Sequence, residues 1–162
     1  MRVLLTGGCG FIGSHTAISL MDAGHDAILL DNFSNSQRDV PDRISQIAGR
    51  SIPVVEGDIR NNALLQQVFA EQRPDAVIHF AGFKAVAESV AQPLKYYVNN
   101  VGGTLSLLEA FPESDFALPA PESFRKMFPT MGSIFILIAT HPMMHAGQFV
   151  PIRRALGKPI VM

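Results

Sequence analysis

The sequence predicts an α/β fold with a doubly wound parallel sheet, incomplete and followed by an atypical C-terminal tail. Three observations predict it: short apolar runs alternate with segments of helical apolar spacing, a glycine-rich turn follows the first run, and prolines become dense after Ala110. Continuous apolar runs are typical of strands covered on both faces, as in parallel sheets. We therefore divide the chain into an α/β portion, residues 1–110, and a divergent tail, residues 111–162.

The α/β portion begins with one complete strand–helix–strand unit. Residues 2–5 predict a strand, apolar residues between Phe11 and Leu20 predict a helix, and residues 26–30 predict a second strand, within the roughly 30 residues that a βαβ unit needs. Further strands are predicted at 52–55 and 75–80, and further helices at 37–48, 61–72 and 93–110. Glycines 102 and 103 inside the last helix indicate a close approach of its backbone to a cofactor or to another helix.

The tail has a different character. Four prolines lie between residues 111 and 129, and prolines this dense do not fit a helix interior or a central strand. We therefore predict a loop over residues 111–129. Residues 133–140 predict one more strand, and residues 148–156 predict a short helix.

Composition excludes several classes of partner. The formal net charge is −1 and basic and acidic residues are evenly mixed, so we expect no nucleic-acid partner. The single cysteine, Cys9, excludes an internal disulfide, and we assign both Cys9 and His79 to structure rather than to a metal site or a nucleophile. The longest apolar run, residues 134–139, is far shorter than the roughly 18 to 20 residues that span a bilayer. We expect a cytoplasmic protein with no membrane contact.

The residues that point to chemistry begin with the glycine-rich turn over residues 6–14, TGGCGFIGS, between a predicted strand and a predicted helix. Gly7 and Gly10 allow a tight turn whose backbone N–H groups approach a pyrophosphate, and Gly13 allows close packing of helix and strand. Asp31 ends the second strand, where a carboxylate accepts hydrogen bonds from a ribose and repels a 2′-phosphate. A glycine turn without a ligand is the alternative. The pattern favours NAD over NADP, on a Rossmann-like domain.

Five segments then carry a resemblance to one family. They are MRVLLTGG at 1–8, DNFSNS at 31–36, VEGDIR at 55–60, HFAGFKAV at 79–86 and YYVNN at 96–100. Their order and spacing resemble those of UDP-glucose 4-epimerases, which belong to the extended short-chain dehydrogenases. The resemblance covers about two thirds of the chain and ends near Ala110.

The resemblance implies an NAD site. Phe11 and Ile12 would contact the pyrophosphate through their backbone, residues 31–36 would surround the adenosine ribose, and Asp58 and Ile59 would hold the adenine. The residues implied to bind the cofactor are Gly7, Gly10, Phe11, Ile12, Gly13, Asp31, Asn32, Phe33, Ser34, Asn35, Ser36, Asp58, Ile59, Phe80, Ala81, Gly82, Phe83, Lys84 and Asn99.

The resemblance also implies residues on the nicotinamide side of that site. By the resemblance, residues 80–82 line the passage to the nicotinamide ribose, Lys84 reaches that ribose, and Asn99 supports the nearby loop. Each assignment has an ordinary structural alternative. Lys84 is also compatible with a solvated surface charge, Asn99 with a side chain satisfied within its own helix, and Asp58 with a helix N-cap.

Catalysis in the family needs a base that this chain lacks. The resemblance implies a tyrosine of a Tyr-x-x-x-Lys motif, whose pKa is lowered by the lysine, and a serine-rich segment at the end of the fifth strand. The two tyrosines, Tyr96 and Tyr97, have no lysine four residues later. We assign no catalytic residue and no metal ligand, and expect the chain alone to be inactive.

Several alternatives stay open at this point. In the intact family the substrate is a UDP-sugar, and a homodimer through the helix at 93–110 is one expected assembly. The tail after Ala110 is compatible with a frameshift, with a truncation or with a genuinely different C-terminus. Other hypotheses are a non-catalytic dinucleotide-binding or dimerisation module, and a fragment of another NAD-dependent sugar-nucleotide dehydratase or decarboxylase.

Overall fold

A computed structural model describes residues 1–120, 122–133 and 156–157. The chain divides into two compact units, residues 1–111 and residues 112–162. The elements of the first unit are β1 (Arg2–Thr6), α1 (Phe11–Asp22), β2 (Asp26–Asp31), α2 (Val40–Ala48), β3 (Val54–Glu56), α3 (Asn62–Gln72), β4 (Ala76–His79), α4 (Val86–Ala91), α5 (Pro93–Tyr96), a π-helix (Tyr97–Gly102) and α6 (Gly103–Glu109).

The sheet of the first unit has four parallel strands in the order β3-β2-β1-β4. The first strand therefore lies in the middle, with Leu4 paired to Ile28 on one side and to Val77 on the other. The order in which strands are added reverses at β1, and doubly wound folds bind ligands at such a point, at the carboxyl ends of the strands. The predicted α/β class and parallel sheet are confirmed.

Two apolar layers cover the two faces of the sheet. Alternate residues of a strand point to opposite faces, so Val3 and Leu5 of β1 pack with residues of α1 and α2, whereas Leu4 packs with residues of α3 and α6. Leu4 and Leu5 are completely buried, and burial of a leucine side chain stabilises a fold by about 1.5 to 3 kcal/mol. This double cover explains why the strands are continuous apolar runs in the sequence.

The last predicted helix, residues 93–110, differs from the observed structure. It consists of α5, the π-helix and α6 in succession, and an additional helix, α4, precedes it. Residue 92 separates α4 from α5 because Pro93 has no N–H to donate to the preceding turn and starts a helix instead. The segment 86–91 carries no N-cap side chain, so its sequence gave no start signal for a helix.

The two glycines of that segment behave differently. A Cβ added at Gly103 would lie 2.7 Å from Cγ1 of Ile59, whereas nothing lies within 4 Å of a Cβ added at Gly102. A close approach is therefore observed for Gly103 only, and it is to the segment between β3 and α3, not to a cofactor or to another helix as predicted. The neighbour is Ile59, a buried residue that follows β3.

In the second unit the predicted loop over residues 111–129 contains two short helices, a 3₁₀-helix (Glu113–Ala117) and α7 (Glu122–Arg125). The loop prediction was wrong there because the prolines flank these helices instead of interrupting them. Pro112 precedes the 3₁₀-helix and Pro119 follows it. Residues 134–140 of the predicted strand and 148–155 of the predicted helix lie outside the described residues. Among the residues that are described, no helix is long and apolar enough to cross a membrane.

Candidate cofactor-binding site

A cleft of about 410 Å³ lies at the carboxyl ends of β1, β2 and β4. Its volume falls in the range of about 300 to 1,000 Å³ that is typical of small-molecule sites. The predicted residues that line it are Gly7, Gly10, Phe11, Ile12, Gly13, Asp31, Asn32, Ser34, Asn35, Ile59, Phe80, Ala81, Gly82, Phe83, Lys84 and Asn99. Phe33, Ser36 and Asp58 do not line it. Residues that line it without having been predicted are Leu30, Gly57, Ala85, Glu88 and Tyr96.

The glycine turn forms the floor of the cleft. Gly7 has a φ of +65°, and a Cβ added there would lie 2.7 Å from the backbone nitrogen of Ala81. A Cβ added at Gly13 would lie 2.5 Å from the carbonyl oxygen of Gly7. The turn therefore accepts glycine alone at both positions. It brings the start of α1, whose first N–H groups have no partner within the helix, to the edge of the cleft.

Asp31 lies beside this turn, at the end of β2, with only 7% of its surface exposed. Its Oδ2 accepts the backbone N–H of Cys9 at 2.9 Å, and its Oδ1 accepts the backbone N–H of Phe33 and the hydroxyl of Ser36, both at 2.9 Å. A carboxylate offers about four lone-pair positions. One position, on Oδ2, is left for a ligand.

Two of the predicted residues outside the cleft support Asp31. Ser36 donates its hydroxyl to the carboxylate, and Phe33 donates its backbone N–H from a left-handed conformation with a φ of 53°. The Phe33 ring packs on the core and lies 4.9 Å from the Arg38 guanidinium. These two residues fix the carboxylate in place and do not face the cleft.

Asp58 also lies outside the cleft, held by its neighbours. It accepts two hydrogen bonds from the Arg60 guanidinium, at 2.8 and 2.6 Å, and one from the Asn32 side chain at 3.1 Å. The Arg60 hydrogen bonds hold the pKa of Asp58 well below its usual range, against the effect of partial burial. The N-cap of α3 is Asn61, which accepts the N–H of Leu64. The N-cap alternative for Asp58 is therefore wrong.

The loop after β4, residues 80–85, forms the opposite wall of the cleft. Lys84 is exposed and lines the cleft. Asn99 is buried, and its amide donates to the carbonyl oxygen of Ala81 at 3.2 Å and to Oδ1 of Asn100 at 2.9 Å. Asn99 thus reaches across to this loop, so the alternative of a side chain satisfied within its own helix does not hold.

Comparison with known proteins connects this cleft to one family. A family model described as GDP-mannose 4,6 dehydratase matches residues 4–122. A UDP-glucose 4-epimerase of Neisseria gonorrhoeae is 59% identical over 109 residues, which are 67% of this chain and 32% of that protein. A UDP-glucose 4-epimerase of Klebsiella pneumoniae is 51% identical over 110 residues, which are 68% of this chain and 79% of that protein. The chain belongs to the UDP-glucose 4-epimerase family.

Solved structures of this family have the same fold. One is the UDP-glucose 4-epimerase of Bifidobacterium longum in complex with NAD⁺ and UDP. The matched region covers 91% of this chain and 50% of that protein, with a TM-score of 0.69 and 36% identity. The epimerase of Stenotrophomonas maltophila, with bound NAD and formylated UDP-arabinopyranose, matches with a TM-score of 0.68 and 30% identity. The chain spans about a third of the length of most of the curated epimerases that it matches.

Tyr96 lines the cleft through a hydroxyl group that has two oxygen neighbours. Its hydroxyl lies 2.9 Å from the Ala85 carbonyl oxygen and 2.8 Å from the Glu88 carboxylate. Burial and the nearby Glu88 carboxylate raise the pKa of Tyr96. The nearby Lys95 ammonium group, which pairs with Glu88 at 2.5 Å, acts in the opposite direction but has a smaller effect on this pKa. Tyr96 therefore lines the cleft with its hydroxyl group held between Ala85 and Glu88.

Two further polar groups of this epimerase-family chain have structural contacts. His79 lies 2.6 Å from the Thr6 hydroxyl through Nδ1 and 3.2 Å from the Thr104 hydroxyl through Nε2, and burial lowers its pKa. Thr104 donates its proton to the carbonyl of Asn100, so Nε2 of the neutral imidazole donates and Nδ1 accepts. Cys9 is buried, and in the part of the chain that the structure describes no cluster of metal-ligating side chains occurs.

Proposed function

We propose that residues 1–111 are the NAD-binding portion of a UDP-glucose 4-epimerase. The observation that carries this proposal is the convergence of the glycine turn and the Asp31 carboxylate on one cleft. Relatives of the same family have been solved with NAD bound, which supports the same cofactor here. A Cβ at Gly7 would clash with the backbone of Ala81, and a Cβ at Gly13 would clash with the backbone of Gly7. Both glycines are therefore needed for the tight turn whose backbone N–H groups would approach a pyrophosphate.

In this proposal each wall of the cleft takes one part of the cofactor. The start of α1 and the glycine turn hold the pyrophosphate, because a helix N-terminus offers unpaired N–H groups and a positive dipole end. The free position on Oδ2 of Asp31 accepts a hydroxyl of the adenosine ribose, and Ile59 packs beside the adenine. Lys84, exposed on the opposite wall, donates to the nicotinamide ribose.

The substrate and the reaction are proposed for the intact family protein. The residues around the glycine turn and Asp31 would hold NAD, which would supply the hydride acceptor needed to invert C4 of a UDP-hexose. This reaction also needs a base, and the chain as given has no Tyr-x-x-x-Lys motif. On this proposal the protein acts in the cytoplasm, in the interconversion of UDP-glucose and UDP-galactose.

Cofactor binding is the part of this function that the chain itself carries, so it is what we test. We expect the chain to bind NAD more tightly than NADP, because a 2′-phosphate would meet the Asp31 carboxylate. Asp31→Asn should lower NAD affinity about ten-fold or more, since a hydrogen bond to a charged group contributes about 1.5 to 3 kcal/mol. Binding is measured by calorimetry or by the fluorescence of the reduced cofactor. Quenching of tryptophan fluorescence cannot be used, because the chain contains no tryptophan.

The matched control is Asp26→Asn. Asp26 lies at the other end of β2, on the surface, where it pairs with Arg50 at 2.9 Å. We expect this variant to keep wild-type NAD affinity. Thermal melting of both variants separates loss of folding from loss of binding. Equal affinity for NAD and NADP, or equal effects of the two substitutions, would show that Asp31 does not face the ribose.

We also propose that the chain forms a homodimer. An apolar stripe runs along α5, the π-helix and α6, formed by Leu94, Val98, Val101 and Leu105, which are exposed by 77, 53, 49 and 55%. Their spacing of four, three and four residues is that of one face of an α-helix, and Val98 and Val101 lie in the π-helical part of this segment. An exposed apolar stripe of this length is typical of a helix-to-helix interface.

A further inference from the structure

Asn100 makes two hydrogen bonds to the backbone of a single residue in the loop after β4. Its Oδ1 accepts the N–H of Phe83 at 2.8 Å, and its Nδ2 donates to the carbonyl oxygen of Phe83 at 3.0 Å. The side-chain amide thus pairs with both polar groups of Phe83, as a neighbouring strand would. A pair of bonds of this kind fixes the orientation of the backbone on both sides of that residue.

The orientation of the Asn100 amide is itself fixed. Its Oδ1 accepts a second hydrogen bond, from the Asn99 side chain at 2.9 Å. Rotating the amide by half a turn would place its NH₂ group against two donors and its oxygen against the Phe83 carbonyl. Asn100 lies in the π-helix, and its own carbonyl oxygen accepts the Thr104 hydroxyl at 2.6 Å. Short π-helical segments are frequently found at functional sites.

Asn100 is the attachment of the loop at Phe83, between the contact of Asn99 with Ala81 and that of Tyr96 with Ala85. The N–H of Phe80 bonds to Thr6, the last residue of β1, and the N–H of Gly82 bonds back to Phe80, each at 2.8 Å. The pairing of β4 with β1 ends at His79, and at Phe83 the two backbone groups bond to the Asn100 side chain instead. The next residue is Lys84, which lines the cleft, whereas Asn100 does not line it.

We infer that Asn100 is a positioning residue that holds the Phe83 backbone and thereby orients Lys84 and the nicotinamide side of the cleft. Its effect on affinity rests on the proposed NAD site. A wall that is already ordered costs less conformational entropy when the cofactor binds. Asn100 acts through the loop and touches no ligand itself.

The test compares Asn100→Ala and Asn100→Asp in the full chain. Asn100→Ala removes the acceptor of the Phe83 N–H, so exchange of that amide with solvent should become about ten-fold faster or more, and NAD affinity should fall about ten-fold. Asn100→Asp keeps an acceptor for the N–H but places a second oxygen against the Phe83 carbonyl. We expect it to restore most of the exchange protection and to bind NAD with intermediate affinity.

The matched control is Asn62→Ala, which removes an exposed side-chain hydrogen bond from α3 to Glu109 at 2.8 Å. This variant should change neither Phe83 exchange nor NAD affinity. Unchanged Phe83 exchange in Asn100→Ala would overturn the inference, and so would faster exchange with unchanged NAD affinity. A wild-type chain that fails to bind NAD while Asn100 protects Phe83 would overturn the proposed function and still support the role of Asn100 in holding the loop.

Discussion

At the scale of single residues, the hydrogen bond between the Cys9 backbone and the Asp31 carboxylate has an electrostatic consequence. The Cys9 thiol is buried, with 3% of its surface exposed, and burial together with the Asp31 charge raises its pKa to about 12. A thiolate there would add a second negative charge beside the one that the ribose is proposed to meet. The raised pKa keeps Cys9 neutral across the physiological range.

This leads to a prediction for thiol reactivity. The native chain should react with Ellman's reagent far more slowly than the unfolded chain at both pH 8 and pH 9.5, because the thiolate is the reactive form. In the unfolded chain the pKa returns to about 8.5. Cys9 is the single cysteine, so the whole signal belongs to it. Fast, complete labelling of the native chain would contradict the burial of Cys9. The control is labelling of the chain unfolded in about 8 M urea.

The same residues show what sequence can predict at this scale. Gly7, Gly13 and Asp31 were predictable because their roles follow from backbone geometry and from position at a strand end. Asn100 was missed because its partner, Phe83, is 17 residues away in sequence. Tyr96 was set aside as a base for lack of a lysine, and its place at the cleft came only from folding of α5 against the loop after β4.

At the scale of elements, the segment from Pro93 to Glu109 shows that sequence can predict a helix without predicting its type. Apolar spacing predicts that the segment is helical, and it is. The same spacing does not separate α-helical from π-helical hydrogen bonding, so the change at Tyr97–Gly102 was not predictable. The π-helix is held by tertiary contacts of Asn99 and Asn100 with the loop after β4.

The adjacent glycines of this segment give a paired prediction of opposite sign. Gly102→Ala should raise the free energy of unfolding by about 0.5 to 1 kcal/mol, because Gly102 has open space and a helical φ of −60°. Gly103→Ala should lower it by about 1 to 3 kcal/mol, because the new methyl group overlaps Ile59. Urea denaturation measures both. Changes of the same sign would mean that α6 does not pack on Ile59 as described.

At the scale of the whole molecule, the apolar stripe predicts self-association. We expect sedimentation velocity to show a dimer, and Leu94→Glu combined with Val101→Glu to weaken it about 100-fold or more, because two charges would be buried at the interface. Ile47→Glu is the control, since Ile47 is equally apolar and 66% exposed but lies on α2. A monomeric wild-type chain at tens of micromolar, or equal effects of the two changes, would rule out this interface.

The central position of β1 also sets the order in which the chain gains function. Thr6 pairs with residues of β2 that are close in sequence, but its contact with His79 closes a separation of 73 residues. Long closures of this kind are slow steps, because chain entropy is lost before the contacts form. The backbone of Ala81, which covers the glycine turn, arrives with β4. Until β4 has paired with β1, the cleft lacks the wall formed by residues 80–85. On the proposed function, cofactor binding therefore reports that this pairing has formed.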